Sequence, residues 1–185
     1  GYRPDLHALP EEYAKTLNLI RSAKRPLILA GHGVLQAGAM RAVQEFAERT
    51  NTPVALTLLG IGGMPANHPL NLGMMGMHGE AWVNTAIQEA DLLIALGMRF
   101  DDRVTGNLKT YAPHSKKIHV EIDPSEIGKN VKVDVQINAD LRAALEALMA
   151  VVPAKRHEAW VEEIARGQAE TRVRDILHQD HGGKL

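Results

Sequence analysis

The stretch Asp91-Leu-Leu-Ile-Ala-Leu-Gly97 decides the fold class of this 185-residue chain. Its interior is wholly apolar, and a short apolar run bounded by an acid and a glycine is typical of a strand that is buried on both faces of a parallel sheet. Four further runs are predicted to be strands on the same grounds: residues 27–30, 53–58, 117–123 and 133–137. The sequence therefore predicts a buried, mainly parallel sheet.

Helical patterns lie between these strands. Apolar residues recur at helical spacing in residues 11–21, 39–50 and 80–90, and Asp140 is a good N-cap for a further helix. Strands that alternate with helices form βαβ units, so the predicted fold class is α/β: a doubly wound, mainly parallel, Rossmann-like three-layer domain. The stretch Gly60–Gly79 holds six of the chain's 16 glycines and is predicted to be a long functional loop.

Three segments are expected along the chain. Residues 1–10 are predicted to be an extended linker from a missing N-terminal domain, and residues 11–152 to be the central domain. Residues 153–185 are predicted to be a helical linker toward a missing C-terminal domain. The chain begins with Gly1 rather than Met, and its last residues form a turn-like stretch. We therefore expect these residues to be one domain of a longer protein.

The composition excludes several classes of function. Lys and Arg number 21 against 22 Asp and Glu, so the chain offers no strongly basic surface for nucleic acid. Because cysteine is absent, disulfides, cysteine-ligated zinc and thiol catalysis are excluded. No apolar run approaches the roughly 20 residues that span a bilayer. We expect no nucleic-acid partner, no membrane span and a cytoplasmic location.

The carboxyl ends of the predicted strands supply the candidate site, because ligands of open parallel sheets bind there. Each end offers glycine, a small polar group or a charge: Gly31-His-Gly33, Thr57-Leu-Leu-Gly60, Gly97-Met-Arg99, Glu121-Ile-Asp123 and Ala139-Asp140. This set is typical of a crevice for a nucleotide-like molecule. The first turn departs from the G-x-G-x-x-G fingerprint because Gln36 replaces the third glycine, so a plain left-handed turn explains Gly31 and Gly33 equally well.

Two arginines and two carboxylates follow the strand at residues 91–97, in the stretch Arg99-Phe-Asp-Asp-Arg103. Guanidinium forks at a strand's carboxyl end would hold a phosphate or a carboxylate, and the aspartates would orient the forks. The alternative is a surface salt-bridge cluster, which contributes little stability. The position beside a buried strand favours the binding interpretation.

Glu121 and Asp123 end a predicted strand on one shared face. Acids at such positions commonly accept ribose hydroxyls, while the alternative is that they cap the turn at Pro124-Ser125. The methionines and histidine of Met74–His78 form a soft apolar patch that core filling under a loop also explains. His178–His181 is a poor candidate for a metal site. With no G-x-S-x-G, P-loop or H-E-x-x-H motif, the residues alone indicate an α/β ligand-binding domain.

Taken together, several motifs give the chain a family resemblance. It resembles the central domain of the large, catalytic subunit of the acetolactate synthases (acetohydroxyacid synthases) over roughly residues 10–150. The stretches that carry the resemblance are Arg25-Pro-Leu-Ile-Leu-Ala-Gly-His-Gly33, Thr57-Leu-Leu-Gly60, Leu72-Gly-Met-Met-Gly-Met-His-Gly79, Gly97-Met-Arg-Phe-Asp-Asp-Arg-Val-Thr-Gly106 and Glu121-Ile-Asp-Pro-Ser-Glu-Ile-Gly-Lys129.

The resemblance implies a three-domain parent that condenses two 2-keto acids, pyruvate with pyruvate or 2-ketobutyrate, with loss of CO2 in branched-chain amino acid biosynthesis. It implies thiamine diphosphate and Mg in the missing domains, and structural FAD in the middle domain. It further implies a homodimer or tetramer with a small regulatory subunit. The fragment alone is then predicted to be inactive. The alternative function is a non-catalytic nucleotide-binding module of the same fold, like deoxyhypusine synthase-like or sirtuin-like domains.

The resemblance also implies a set of site residues. Those near FAD are Gly31, His32, Gly33, Thr57, Leu58, Met77, His78, Gly97, Met98, Arg99, Asp102, Arg103, Glu121, Ile122, Asp140 and Leu141. Arg103 has a second implied role, in which it receives the carboxylate of the second keto acid. Two residues depart from the family pattern, since His32 and Ala139 stand where glycine is common.

Overall fold

The computed structural model describes the backbone of residues 10–179 and side chains as far as Thr171. The predicted N-terminal linker, residues 1–10, therefore lies outside the described residues except for Pro10. Asp180, His181 and the side chain of His178 also lie outside them. Within the described part, no helix combines the length and the apolar character that a membrane span requires.

Six parallel strands form one sheet in the order β3-β2-β1-β4-β5-β6. They are β1 (Pro26–Ala30), β2 (Val54–Leu56), β3 (Asn71–Met74), β4 (Leu92–Leu96), β5 (Lys116–Glu121) and β6 (Val135–Asn138). The chain winds outward from β1 in one direction and from β4 in the other, so the point between β1 and β4 is a topological switch point. The predicted doubly wound α/β class is confirmed.

Alternate residues of each central strand enter two different cores. In β1, Ile28 and Ala30 face one hydrophobic cluster, whereas Leu27 and Leu29 face the other, and all four are fully buried. Burial on both faces is why the strands lack polar alternation, and each such large side chain contributes about 1.5–3 kcal/mol.

Helices cover both faces of the sheet. The first core lies under α1 (Pro10–Ser22), α3 (Met40–Thr50) and α6 (Leu141–Met149), and the second lies under α4 (Ala81–Glu89) and α7 (Glu158–Gln179). Two short helices, α2 (His32–Gln36) and α5 (Asp102–Thr105), follow the carboxyl ends of β1 and β4. The predicted N-cap is confirmed, since the carboxylate of Asp140 accepts the N–H of Ala143 at 3.0 Å.

The loop predicted at Gly60–Gly79 needs correction, because it contains β3. This strand pairs with β2 through Ala55 opposite Gly73 and Leu56 opposite Met74. Its sequence Asn-Leu-Gly-Met has no β-branched or aromatic residue and includes a glycine, so local propensity does not indicate a strand. The backbone hydrogen bonds to β2 at the edge of the sheet therefore stabilise this strand, although its residues have low β-propensity.

The first turns of α7 pack on the second core. The side chains of Trp160 and Ile164 are 2% and 7% exposed. The indole N–H of Trp160 donates to the carbonyl of Pro26 at 3.0 Å, and the guanidinium of Arg25 lies 5.3 Å from the indole ring. Arg25 also pairs with Glu163 at 3.0 Å. These contacts join α7 to the start of β1.

Candidate functional site

The strand ends predicted as site residues meet along one edge of the sheet. Leu56, Ala30, Leu96 and Val120 stand in register across β2, β1, β4 and β5. The residues that follow them extend the ladder by one step. The N–H groups of Thr57, Gly31 and Gly97 donate to the carbonyls of Ala30, Leu96 and Val120 at 2.9–3.0 Å. The carboxyl ends of four strands therefore form one continuous rim.

Glycines at the switch point allow two chain segments to touch. A Cβ atom on Gly33 would lie 2.7 Å from the Cα of Gly97, and the N–H of Gly33 donates to the carbonyl of Gly97 at 2.8 Å. Gly97 has φ +56°, whereas Gly31 has φ −110° and Gly33 lies within α2. The left-handed-turn explanation for Gly31 and Gly33 is therefore wrong, since close backbone approach is what excludes a side chain there.

The Arg99–Arg103 stretch has a different internal arrangement from the one predicted. Oδ1 of Asp101 accepts the N–H groups of Arg103 at 3.1 Å and Val104 at 3.2 Å, so Asp101 is the N-cap of α5. Among the described side chains, none forms an ion pair with the guanidinium of Arg99 or Arg103. Both the salt-bridge cluster and the idea that the aspartates orient the forks are wrong. Arg99, Asp102 and Arg103 are all exposed.

A buried histidine supports this stretch from below. Nε2 of His119, in β5, lies 2.7 Å from the carbonyl of Met98, and its ring packs edge-on against Phe100 at 5.2 Å. His119 is fully buried, and burial lowers its pKa despite the hydrogen bond to Met98, which favours the neutral form of the ring. Sequence reasoning missed this residue. The signal in the sequence was a histidine between two apolar residues, Ile118 and Val120, in the middle of a predicted strand.

A second loop joins the arginine stretch at the rim. The N–H of Met77 donates to the carbonyl of Arg103 at 2.9 Å, which places Met77 and His78 beside α5. Both side chains are exposed. Sequence reasoning also missed Asn84, whose side-chain amide forms two hydrogen bonds with Gly76 in this loop.

The two acids at the end of β5 have separate surroundings. Oε1 of Glu121 accepts the N–H groups of Ile122 at 2.9 Å and Asp123 at 3.2 Å, and burial raises the pKa of Glu121. Oδ1 of Asp123 accepts the N–H and the hydroxyl of Ser125, and these bonds lower the pKa of Asp123. Asp123 therefore caps the turn at Pro124-Ser125, which was the alternative prediction for this residue. Of the two acids, only Glu121 is half-buried at the rim.

The remaining predicted residues divide into exposed and internal ones. The side chains of Leu58, Met77 and Ile122 are 67%, 67% and 48% exposed, although they are apolar. His32 is exposed too. In contrast, Met98 is buried within the second core and Leu141 within the first, so their side chains are not exposed at the rim.

Polar groups near these residues are partly engaged already. The hydroxyl of Thr57 accepts the N–H of Gly60, and Asp140 caps α6. Among the described residues, no group of three or more His, Asp or Glu side chains is placed to hold a metal ion. The rim thus combines free guanidinium groups, a half-buried carboxylate and exposed apolar side chains around a narrow glycine turn.

Comparison with known proteins identifies the family of this chain. A family model described as the thiamine pyrophosphate enzyme, central domain, matches residues 13–148. The chain is 46% identical over 167 residues to the probable acetolactate synthase large subunit of Methanocaldococcus jannaschii, a match that covers 89% of the chain and 28% of that protein. It is 44% identical over 168 residues to the acetolactate synthase large subunit of Parasynechococcus marenigrum, covering 89% of the chain and 27% of the relative.

A third relative, the acetolactate synthase of Mycobacterium bovis, is 45% identical over 152 residues, covering 82% of the chain and 25% of its own length. The chain thus spans about a quarter of the length of the curated relatives that it matches. The family model, in contrast, accounts for most of the chain, including every strand of the sheet and the whole rim. The chain belongs to the family of thiamine pyrophosphate enzyme central domains.

Proposed function

We propose that this chain is the FAD-holding central domain of an acetolactate synthase that condenses two 2-keto acids with loss of CO2. The observation that carries the proposal is the rim itself. Two exposed arginines without ion pairs in the described structure, Arg99 and Arg103, stand beside the glycine turn at the switch point. Unpaired guanidinium groups at a ligand-binding edge favour an anionic ligand, either phosphate or carboxylate.

The donor set fits a flavin dinucleotide. The N–H groups of Gly31 and Gly33 already donate to Leu96 and Gly97. The N–H of His32 and the fork of Arg99 would therefore face its diphosphate, because anions bind where N–H groups and a guanidinium converge. Glu121 would accept a hydroxyl hydrogen bond. Leu58 and Ile122 are exposed apolar side chains that a ring system would cover. His32 leaves the turn open, because its side chain is exposed. In this role the flavin supplies structure rather than electron transfer.

Arg103 would receive the carboxylate of the second keto acid. Its carbonyl is engaged by Met77 and its N–H by Asp101, so the backbone at Arg103 is fixed while the guanidinium remains exposed. A fork on a fixed backbone can bind a carboxylate in bidentate fashion with little loss of conformational entropy. Met77 and His78 would flank the approach of this substrate.

The carboligation chemistry comes from groups outside these residues. When bound at sites outside these residues, thiamine diphosphate with Mg would supply the carbanion-stabilising chemistry that such a reaction needs. We place those sites in further domains of a longer protein, which assembles as a homodimer or tetramer with a small regulatory subunit in the cytoplasm. The central domain would contribute the flavin site and Arg103 to that assembly.

The proposal is tested by measuring FAD content and acetolactate formation in the full-length protein that contains these residues. We expect purified protein to retain FAD, seen as flavin absorbance, and to form acetolactate from pyruvate when thiamine diphosphate and Mg are added. A parallel NAD titration tests the second candidate. NAD binding without flavin and without acetolactate would instead identify a non-catalytic nucleotide-binding module.

A further inference from the structure

The loop that carries Met77 and His78 is folded back on itself at Gly76. Gly76 has φ +101°, and a Cβ atom on it would lie 2.7 Å from the carbonyl oxygen of Arg103. Its own carbonyl accepts the N–H of Gly79 at 2.9 Å. The loop therefore approaches α5 as closely as the backbone allows, at a residue where only glycine is free of strain.

Asn84 holds this loop from the other side. Its Oδ1 accepts the N–H of Gly76 at 3.0 Å, and its Nδ2 donates to the carbonyl of Gly76 at 2.9 Å. The orientation of the amide is fixed by these partners, because the N–H of Gly76 requires an acceptor and its carbonyl a donor. Asn84 lies in the first turns of α4, and α4 is anchored in the second core through Val83, Ala86 and Ile87.

One hydrogen bond carries the constraint onward to Arg103. The N–H of Met77, the residue after Gly76, donates to the carbonyl of Arg103 at 2.9 Å. On its far side α5 is fixed by Asp101, which caps the N–H groups of Arg103 and Val104. The backbone of Arg103 is thus held between its own cap and a loop that Asn84 clamps.

We infer that Asn84 is a positioning residue for Arg103. It acts through Gly76 and Met77 and makes no contact with the substrate itself. The inference rests on the proposed function for the role of Arg103, and it adds a residue on a rigid helix that sets where the guanidinium stands. Displacing a binding group by about 1 Å can reduce a rate about a hundredfold, so a clamp of this kind affects substrate use.

The test uses three variants of the full-length protein. Asn84→Leu keeps the approximate shape and removes both bonds to Gly76, whereas Asn84→Asp keeps the acceptor and loses the donor. Thr85→Val is the matched control, because Thr85 is the next residue of α4 and its hydroxyl bonds only to the carbonyl of Ala81. Hydrogen exchange reports on the clamp, and the ratio of acetolactate to released acetaldehyde reports on the second keto acid.

In Asn84→Leu we expect the amides of Gly76 and Met77 to lose protection while β1 and β4 keep theirs. We expect KM for the second keto acid to rise about tenfold or more, with acetaldehyde release changed less than about twofold. Asn84→Asp should lie between Asn84→Leu and the wild type, and Thr85→Val should match the wild type.

Two results overturn the inference: unchanged protection at Met77 in Asn84→Leu, or lost protection with an unchanged ratio of products. Loss of both products in parallel, with exchange rising throughout the sheet, assigns Asn84 to general stability and also overturns it. A wild-type protein that forms no acetolactate overturns the proposed function. The exchange measurement still decides whether Asn84 holds the loop at Gly76 and Met77 against α5.

Discussion

Arg103 illustrates how a short local pattern changes meaning once its partners are known. The sequence Arg99-Phe-Asp-Asp-Arg103 suggests a cluster of mutually paired charges. In the structure, the carboxylate of Asp101 instead accepts backbone N–H groups at the start of α5. The cap satisfies two backbone N–H groups that no helical carbonyl can reach. The guanidinium groups of Arg99 and Arg103 therefore form no ion pair with a described residue, and under the proposed function they bind external anions.

The first prediction is for Arg103→Ala in the full-length protein. Removing the fork should lower acetolactate formation by about tenfold or more, and acetaldehyde release from the first pyruvate should fall less, because only the second substrate uses this carboxylate pair. Arg103→Lys should restore part of the loss, since an ammonium group cannot form the bidentate pair. Assaying both products together is the measurement, and equal loss of both with weaker FAD binding would count against the role.

The second prediction concerns close approach at the switch point. Gly97→Ala should destabilise the domain by about 2 kcal/mol or more, because its Cβ would lie 2.7 Å from the Cα of Gly33 at φ +56°. Gly38→Ala is the control, since Gly38 has φ +59° with nothing within 4 Å of an added Cβ. It should cost only about 1 kcal/mol of conformational strain. Urea unfolding of both variants separates the clash from the strain, and equal losses would remove the clash from the explanation.

The third prediction is a pH dependence from His119. Burial lowers its pKa in the folded state, so the unfolded chain binds more protons once the pH falls below about 6.5, the ordinary histidine value. The free energy of unfolding should therefore fall from pH 7 toward pH 5. His119→Gln keeps a donor for the carbonyl of Met98 but does not titrate, and it should lose less stability over the same range. Denaturant midpoints at the two pH values provide the comparison, and identical pH slopes would rule out His119 as the source.

At the scale of elements, α7 shows how a helix with little amphipathic pattern can still be anchored. Trp160 and Ile164 are its buried side chains in the described part, and they meet the second core between α4 and the sheet. Trp160 also bonds to Pro26 and stacks beneath Arg25. Two buried side chains and the contacts of Arg25 thus attach α7 in the described part, although the sequence of this segment has few apolar positions.

The fourth prediction follows from the packing of Trp160, the most deeply buried side chain of α7 in the described part. Trp160→Ala should destabilise the domain by about 3–5 kcal/mol, because it empties a buried site and leaves the carbonyl of Pro26 without its donor. Trp160→Phe should cost less, since it keeps most of the apolar contact and loses the hydrogen bond. Val151→Ala, at a side chain that is 51% exposed, is the control and should change little. Thermal or urea unfolding ranks the three variants, and a Trp160→Ala variant as stable as the control would show that α7 is not anchored there.

At the level of the whole molecule, helices cover both faces of the sheet, and the candidate site lies along the edge where the strands end. The order β3-β2-β1-β4-β5-β6 brings the ends of β1 and β4 together at the switch point, and the rim residues collect around it. The apolar side chains of Leu58, Leu59 and Ile61 are more than half exposed near this edge. Under the proposed function, this edge forms part of the binding site for FAD.

The fifth prediction is that these 185 residues alone form no acetolactate and bind FAD weakly or not at all. The groups that hold and activate thiamine diphosphate lie outside them under the proposed function, and one edge contacts only part of a dinucleotide. Gel filtration of the purified chain with FAD, followed by an acetolactate assay, is the measurement. A chain that elutes with stoichiometric flavin would contradict the binding half, and thiamine-dependent acetolactate formation would contradict the other.

Local sequence patterns are enough to predict the α/β class, the strands β1 and β4 and the place of the rim. These features depend on local patterns: an apolar run such as residues 92–96 has to be buried on both sides, and a glycine or a charge just after it marks the strand end. The N-cap at Asp140 is equally local, because it needs only residues within one turn.

Features that join segments distant in the chain depend on the tertiary fold. β3 exists because β2 pairs with it, the glycines at 31 and 33 are needed because residue 97 crosses them, and His119 lies under Met98 because β4 and β5 are neighbours. The same holds for Asn84, whose partners are set by where α4 places its amide. Contacts of this kind follow from the order of the strands in the sheet, and local sequence carries no record of that order.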